Sequence, residues 1–222
     1  AGRAAEGAER FREAEALQSN QYPTVPSLFS FQGFQFCDLL LAATERAAWR
    51  QWLGSDEQPV DTQVLADVEH RATTALTMAM RNQRVLDTAL HNLTLGRVAL
   101  YRAILDNAAV DSADTRVEAA VYGLRQAGRM DDLPRALLTR AWLRVLHGDP
   151  AAARADLDEV QQLAERGPMR LHLADVHLHR ACLFFRENRV EAREELKKAR
   201  ALIQRCGYHR GDEELRDAEN FI

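Results

Sequence analysis

An all-α fold is what this sequence predicts, with antiparallel helix pairs stacked as a solenoid, and three observations carry that expectation. Almost every segment repeats its apolar residues with the helical period, and almost none alternates with period two. Ala, Leu, Arg and Glu dominate, and all are good helix formers. Helix pairs also recur. Ala141, then Gly148-Asp149, then Ala153, Leu157 and Val160, is echoed by Ala181, Glu187-Asn188, Ala192, Leu196 and Ala199, at offsets of 40 and then 39 residues. One pair cannot bury its own apolar face, so recurring pairs read as a stack.

In chain order the helices are expected at 3–18, 27–46, 62–81, 85–106, 113–127, 132–147, 150–166, 169–187, 190–206 and 212–220. Between the second and third, the stretch 48–61 holds Trp49, Trp52, Gly54 and Pro59 and reads as an irregular insertion with room for a short helix. The strongest punctuation is Gly148-Asp149-Pro150. Gly148 takes the left-handed conformation that ends one helix, Asp149 caps the next, and Pro150 occupies its first turn. Gly167-Pro168 closes the following helix, and Asn188-Arg189 makes a similar tight turn, since Asn tolerates the left-handed region. Gly207 ends another helix, and Asp212 opens a short last one at 212–220 that reads as a cap over the end of the stack.

The chain has 222 residues, a net charge of −4, 46% hydrophobic and 28% charged side chains, which describes a folded chain able to bury a core. It is read as a single domain, 1–222. With 11 Gly and 6 Pro it is neither collagen-like nor low-complexity, and no apolar run is long enough to span a membrane. The opening Ala1-Gly2-Arg3-Ala4-Ala5-Glu6 carries no secretory leader pattern and no initiator Met, so the chain reads as a piece of a longer protein. Three widely spaced cysteines, Cys37, Cys182 and Cys206, suit a reducing cytoplasm better than a disulfide framework. Of the 29 basic residues only Lys197 and Lys198 are lysine. Arginine is the better fork for carboxylate and phosphate, yet the near-balanced charge argues against a dedicated nucleic-acid binder.

The repeated pairs resemble tetratricopeptide repeats. Leu95-Gly96 with Ala99, and Phe29, Gly33 and Phe36, fit the first helix of that pattern, while Ala153, Leu157 and Val160 match the small, bulky and small positions of its second. Departures include Asn92 where Trp is usual, Ala141 and Ala181 in place of Gly, and Arg140 and Arg144 at places usually apolar. Tyr122-Gly123-Leu124-Arg125-Gln126-Ala127-Gly128, Asp132-Leu133-Pro134-Arg135, Met169-Arg170-Leu171-His172-Leu173-Ala174-Asp175 and the close Gly207-Tyr208-His209-Arg210 look like the C-terminal tails of bacterial signalling ATPases of the NACHT/STAND kind. The resemblance implies a right-handed superhelix of degenerate repeats that binds a protein or peptide without catalysis, as sensor or assembly arm of a larger bacterial protein.

There is no Walker loop, dinucleotide fingerprint, His-Glu-x-x-His pair or nucleophile elbow. His172, His177, His179 and Cys182, with Cys206 and His209, form the one ligand-like cluster, but Cys182 falls among Ala181, Leu183, Phe184 and Phe185, so packing is preferred to metal. No metal and no cofactor is expected. Asp131-Asp132 and Glu213-Glu214 read as helix-start carboxylates, and Glu194-Glu195 with Lys197-Lys198 as a solvated face. The rings Phe29, Phe31, Phe34 and Phe36 are either repeat core or groove anchors. Placing Gly33 at the eighth position of a first helix puts Ser27, Ser30, Phe34, Cys37 and Asp38 on the groove side. The same register gives Arg97, Leu100 and Tyr101, then Arg135, Leu138 and Trp142, then Asp175, Leu178, Cys182 and Arg186. The expected partner-binding set is therefore Phe34, Asp38, Arg97, Tyr101, Arg135, Trp142, Asp175 and Arg186. It suits an acidic or C-terminal peptide, because Arg grips carboxylates bidentately and aromatics anchor at low entropy cost. An RNA- or nucleotide-binding solenoid using the arginines is the alternative, and self-association is a further partner class.

Overall fold

A computed structural model describes residues 4–23, 27–54 and 63–222, and among these the chain is all-α, with ten helices and no strand. They are α1 (Ala4–Gln21), α2 (Ser30–Leu53), α3 (Gln63–Arg81), α4 (Val85–Leu105), α5 (Asp111–Gln126), α6 (Leu133–Leu146), α7 (Pro150–Arg166), α8 (Arg170–Phe184), α9 (Arg189–Cys206) and α10 (His209–Phe221). No helix among them is long and apolar enough to cross a membrane.

Local chemistry places several boundaries. Gly148 stands at φ +76°, and Asp149 accepts the Ala152 amide at 2.9 Å, so α7 begins at Pro150. Gly207 is left-handed at φ +63°, and the Tyr208 amide donates back to the Ile203 carbonyl at 3.0 Å, which closes α9. Asn188 departs from its expected left-handed turn. Its φ is −148°, and its side chain accepts the Val190 and Glu191 amides, so it starts α9 rather than ending α8. Asp132 stands at the head of α6 without capping it, because Arg129 holds its carboxylate at 2.8 Å. α10 begins at His209, three residues ahead of the expected Asp212.

The larger correction is in α2. The helix expected to stop at 46 runs on to Leu53, because Ala47, Ala48, Trp49 and Leu53 prolong one buried stripe and no breaker intervenes before Gly54 at φ +103°. The rest of the expected insertion, 55–61, lies outside the described residues.

The chain, read as one domain, divides into two compact units. The first holds α1, α2 as far as Glu45, and α3 to α5. In it α3 packs on α4 and α4 on α5. A side chain at Gly96 would put its Cβ 2.6 Å from a Val117 methyl, so the glycine sets how near α4 and α5 lie. The second unit holds α2 from Arg46, with α6 to α10. There α6 packs on α7, α7 on α8, α8 on α9, and α10 on both α8 and α9, while α6 also touches α8. The recurring residues Ala141, Ala153, Leu157, Val160, Ala181, Ala192, Leu196 and Ala199 are all buried. The out-of-pattern arginines have a reason: Arg140 and Arg144 both bind the buried Asp156 carboxylate, Arg140 through two bonds at 3.0 and 2.7 Å, and Arg144 at 2.8 Å.

Leu215 and Ala218 of α10 are buried against the helices it packs on, α8 and α9. Carboxylates of α10 are engaged by neighbouring arginines, and Glu213, expected only as a helix-start carboxylate, is one of them. Glu213 and Asp217 bind Arg46, and Glu219 accepts Arg200 at 2.8 Å.

Candidate functional site

In the first unit, α2 and α4 bring Phe34, Asp38, Arg97 and Tyr101 together inside the core. Arg97 is only 4% exposed. Its guanidinium donates to Asp38 at 2.7 Å, to Glu45 at 2.9 Å and to the Tyr101 hydroxyl at 2.9 Å. A fork whose three nitrogens are all engaged by its own chain is a structural ion cluster. Phe34 is buried 6.4 Å from the Phe31 ring, and Phe36 stacks on Phe11 at 5.0 Å. Burial holds the Tyr101 hydroxyl well above its ordinary range and pushes the Cys37 thiol up to about 12. These side chains differ from the open groove expected of them, because the α2 carboxylates that neutralise Arg97 also take it out of reach of a ligand.

In the second unit the expected residues do meet, and they meet the end of α2. Trp49 stacks on Trp142 with centroids 3.5 Å apart, and His179 meets the edge of that stack at 5.0 Å. The Trp52 indole donates to the Cys182 carbonyl at 2.9 Å. Arg186 is exposed and donates to the Trp52 carbonyl at 2.5 Å while lying 4.6 Å over the Trp52 ring and 4.7 Å over Phe185. A cation on the last carbonyls of a helix is where the macrodipole favours one. Arg46 forks onto Asp217 of α10, with one bond at 2.9 Å, and reaches Glu213 as well.

Between α2, α8 and α10 this leaves a cavity of about 30 Å³, floored by Trp49, Leu53, Leu178 and Cys182 and rimmed by Asp175 and Glu214. That is room for about one water. Burial, with Glu214 and Asp217 nearby, pushes the Cys182 thiol far above its usual range, so it is not a thiolate at neutral pH. Of the expected set, Arg135 stands apart, half-buried and within electrostatic reach of Tyr208 and Asp132.

No family model matches this chain, and neither a curated protein nor a solved structure matches it.

The histidines of the ligand-like cluster diverge. His172 lies 3.4 Å from the Asp175 carboxylate, His179 donates to the Asp175 backbone carbonyl at 2.8 Å, and His177 bonds Glu195 at 2.5 Å. Glu195 was expected on a solvated face and is instead buried. Burial raises its carboxyl, but hydrogen bonds from His177 and Lys198 outweigh that and hold it down at about 2.

Sequence reasoning missed Arg46, Trp49, Trp52, Glu213 and Asp217. The signal was present: Arg46, Trp49 and Leu53 follow a helical i, i+3, i+7 spacing, which Gly54 and Pro59 masked when they were read as marks of an insertion.

Proposed function

We propose that this chain is a degenerate, tetratricopeptide-like helical-repeat module, stacked right-handed as in that family. It binds a protein or peptide, catalyses nothing, and works in the bacterial cytoplasm as the sensor or assembly arm of a larger signalling protein. The observation that carries the reading is the grip on the end of α2 in the second unit. One face of α6 and α8, with α10, recognises a helix by every device a helix ligand offers: an aromatic stack on Trp142, an indole bond to the Cys182 carbonyl, a carboxylate pair on Arg46 and an arginine on the closing carbonyls. Helix-in-groove recognition uses this same chemistry between chains. The recurring buried small residues support a repeat origin for the face. Of the arginines available to the RNA alternative, Arg97 is held by carboxylates and Arg186 by the Trp52 carbonyl.

The test is to titrate the purified chain with peptides enriched from a displayed library, and in parallel with single-stranded and duplex RNA, across a range of salt. Saturable peptide binding with shallow salt dependence is expected. RNA binding that falls steeply with salt, with no peptide bound, would overturn the reading.

A further inference from the structure

If the face of α6 and α8 is taken up by the chain's own α2, a partner has to dock elsewhere, and the first unit has an open place for one. Eight large apolar side chains are exposed among the described residues, and three of them line a single groove of about 430 Å³ where the α3–α4 corner meets α5. They are Met80 at 62% exposure, Val85 at 48% and Tyr122 at 64%. That volume lies within the range of ligand-binding clefts, about 300–1,000 Å³.

The floor of the groove is made small by packing. A Cβ on Gly123 would fall 2.8 Å from that of Ala89, so α4 and α5 are nearly in contact there and the chain has no side chain with which to fill the trench itself. The walls are well chosen for contact. Methionine adapts to irregular apolar surfaces, and tyrosine is a frequent anchor at interfaces. The Gln126 amide donates to the Tyr122 hydroxyl at 2.7 Å, which fixes the direction of the exposed ring.

Charge says what fits. In a chain with 28% charged residues, no lining residue of this groove is charged, and its polar side chains, Gln83, Thr88, Asn92, Tyr122 and Gln126, are all neutral in kind. A charged ligand side chain would lose water here, and no lining side chain offers a counter-charge; Arg116, beside the groove, already donates to the Asn92 side-chain oxygen at 3.0 Å. An uncharged one escapes that larger cost, and carboxamides carry both a donor and an acceptor to match a peptide group. We propose that this groove binds an uncharged segment of a partner protein, which seats apolar side chains between Met80, Val85 and Tyr122 and turns its backbone toward Gln83 and Gln126. The proposal rests on the protein-binding reading above and names its surface and the chemistry of its partner.

The experiment selects binders from a phage-displayed random dodecapeptide library on the whole chain, then measures fluorescent copies of the enriched peptides by anisotropy. The chain is compared with Met80→Ser and Tyr122→Ser, both exposed positions whose folding is checked by circular dichroism and melting. Enriched peptides should be apolar and uncharged, and Kd should rise about tenfold or more in each variant, the range of an interface anchor. Peptides that bind the chain and both variants equally, or that are enriched in charge, would overturn the groove while leaving the protein-binding reading in place. A library that yields no binder would bring down both. A dimer of the chain that Tyr122→Ser converts to monomer would overturn the partner, since the occupant would then be a second copy.

Discussion

Two residues on α4, six positions apart, show opposite ways of burying a basic side chain. Arg97 is saturated by Asp38, Glu45 and Tyr101. Removing it leaves two carboxylates without their cation, so Arg97→Ala should lower stability by about 3–5 kcal/mol in a denaturant melt. A near-neutral result would mean that the cluster is solvated. His91 is 1% exposed, and neither ring nitrogen has a hydrogen-bond partner. Burial lowers its pKa to about 4 in spite of the nearby Asp87 carboxylate. The folded state thus refuses a proton that the unfolded chain accepts near 6.5. Stability is full above that pH and falls as the solution is acidified from about 6.5 to 4, by about 3 kcal/mol at 1.36 kcal/mol per unit. His91→Leu should raise the melting temperature at neutral pH and flatten the profile in that interval. A variant that melts lower and keeps the acid slope would assign the slope to another group.

Among the elements, α7 was legible to the residue and α2 was not, and the difference is physical. The start of α7 is set by Asp149 and Pro150 within one turn, so nearby sequence contains the whole cause. The end of α2 is stabilised by a stack on Trp142 and by bonds to Cys182, Arg186 and Asp217 that cross 130 to 171 positions of chain, and local punctuation cannot report them. Trp49→Ala should therefore destabilise the chain by about 3–5 kcal/mol, far more than a surface aromatic would. α10 repeats the lesson, since its apolar stripe was readable while the Arg46 that claims Glu213 and Asp217 was not. Deleting 209–222 should expose Ile203, strip Arg46 of its partners, lower the melting temperature and promote self-association. A monomeric truncation with an unchanged melting curve would show that α10 covers nothing.

For the whole molecule, the all-α class was readable because propensity and period agree along nearly the entire chain. The expected binding set was not, because a helical register says which face a side chain is on but not what already occupies that face. The Met80, Val85 and Tyr122 groove was equally hidden, since three helices contribute to it. Acid response sums over both units. Below the His91 interval, Glu195 adds a second one: its folded pKa of about 2 lies under the ordinary 4.5, so its contribution is present above 4.5 and lost as pH falls toward 2. Glu195→Gln should remove that lower interval and leave the upper one, as read by circular dichroism during acid titration. Loss of the upper interval instead would show that the two assignments are exchanged.

The positions of the three thiols turn the native chain into its own recorder. Cys37 is buried in one unit and Cys182 in the other, while Cys206 is half-buried at the end of α9. A brief pulse of an alkylating reagent followed by mass spectrometry would mark Cys206 from the folded ensemble. Marks on Cys37 and Cys182 would accumulate only as their own surroundings open, because a buried, protonated thiol is a poor nucleophile. The ratio of the two slow marks compares how often each unit breathes, residue for residue, in a protein that carries no substitution at all.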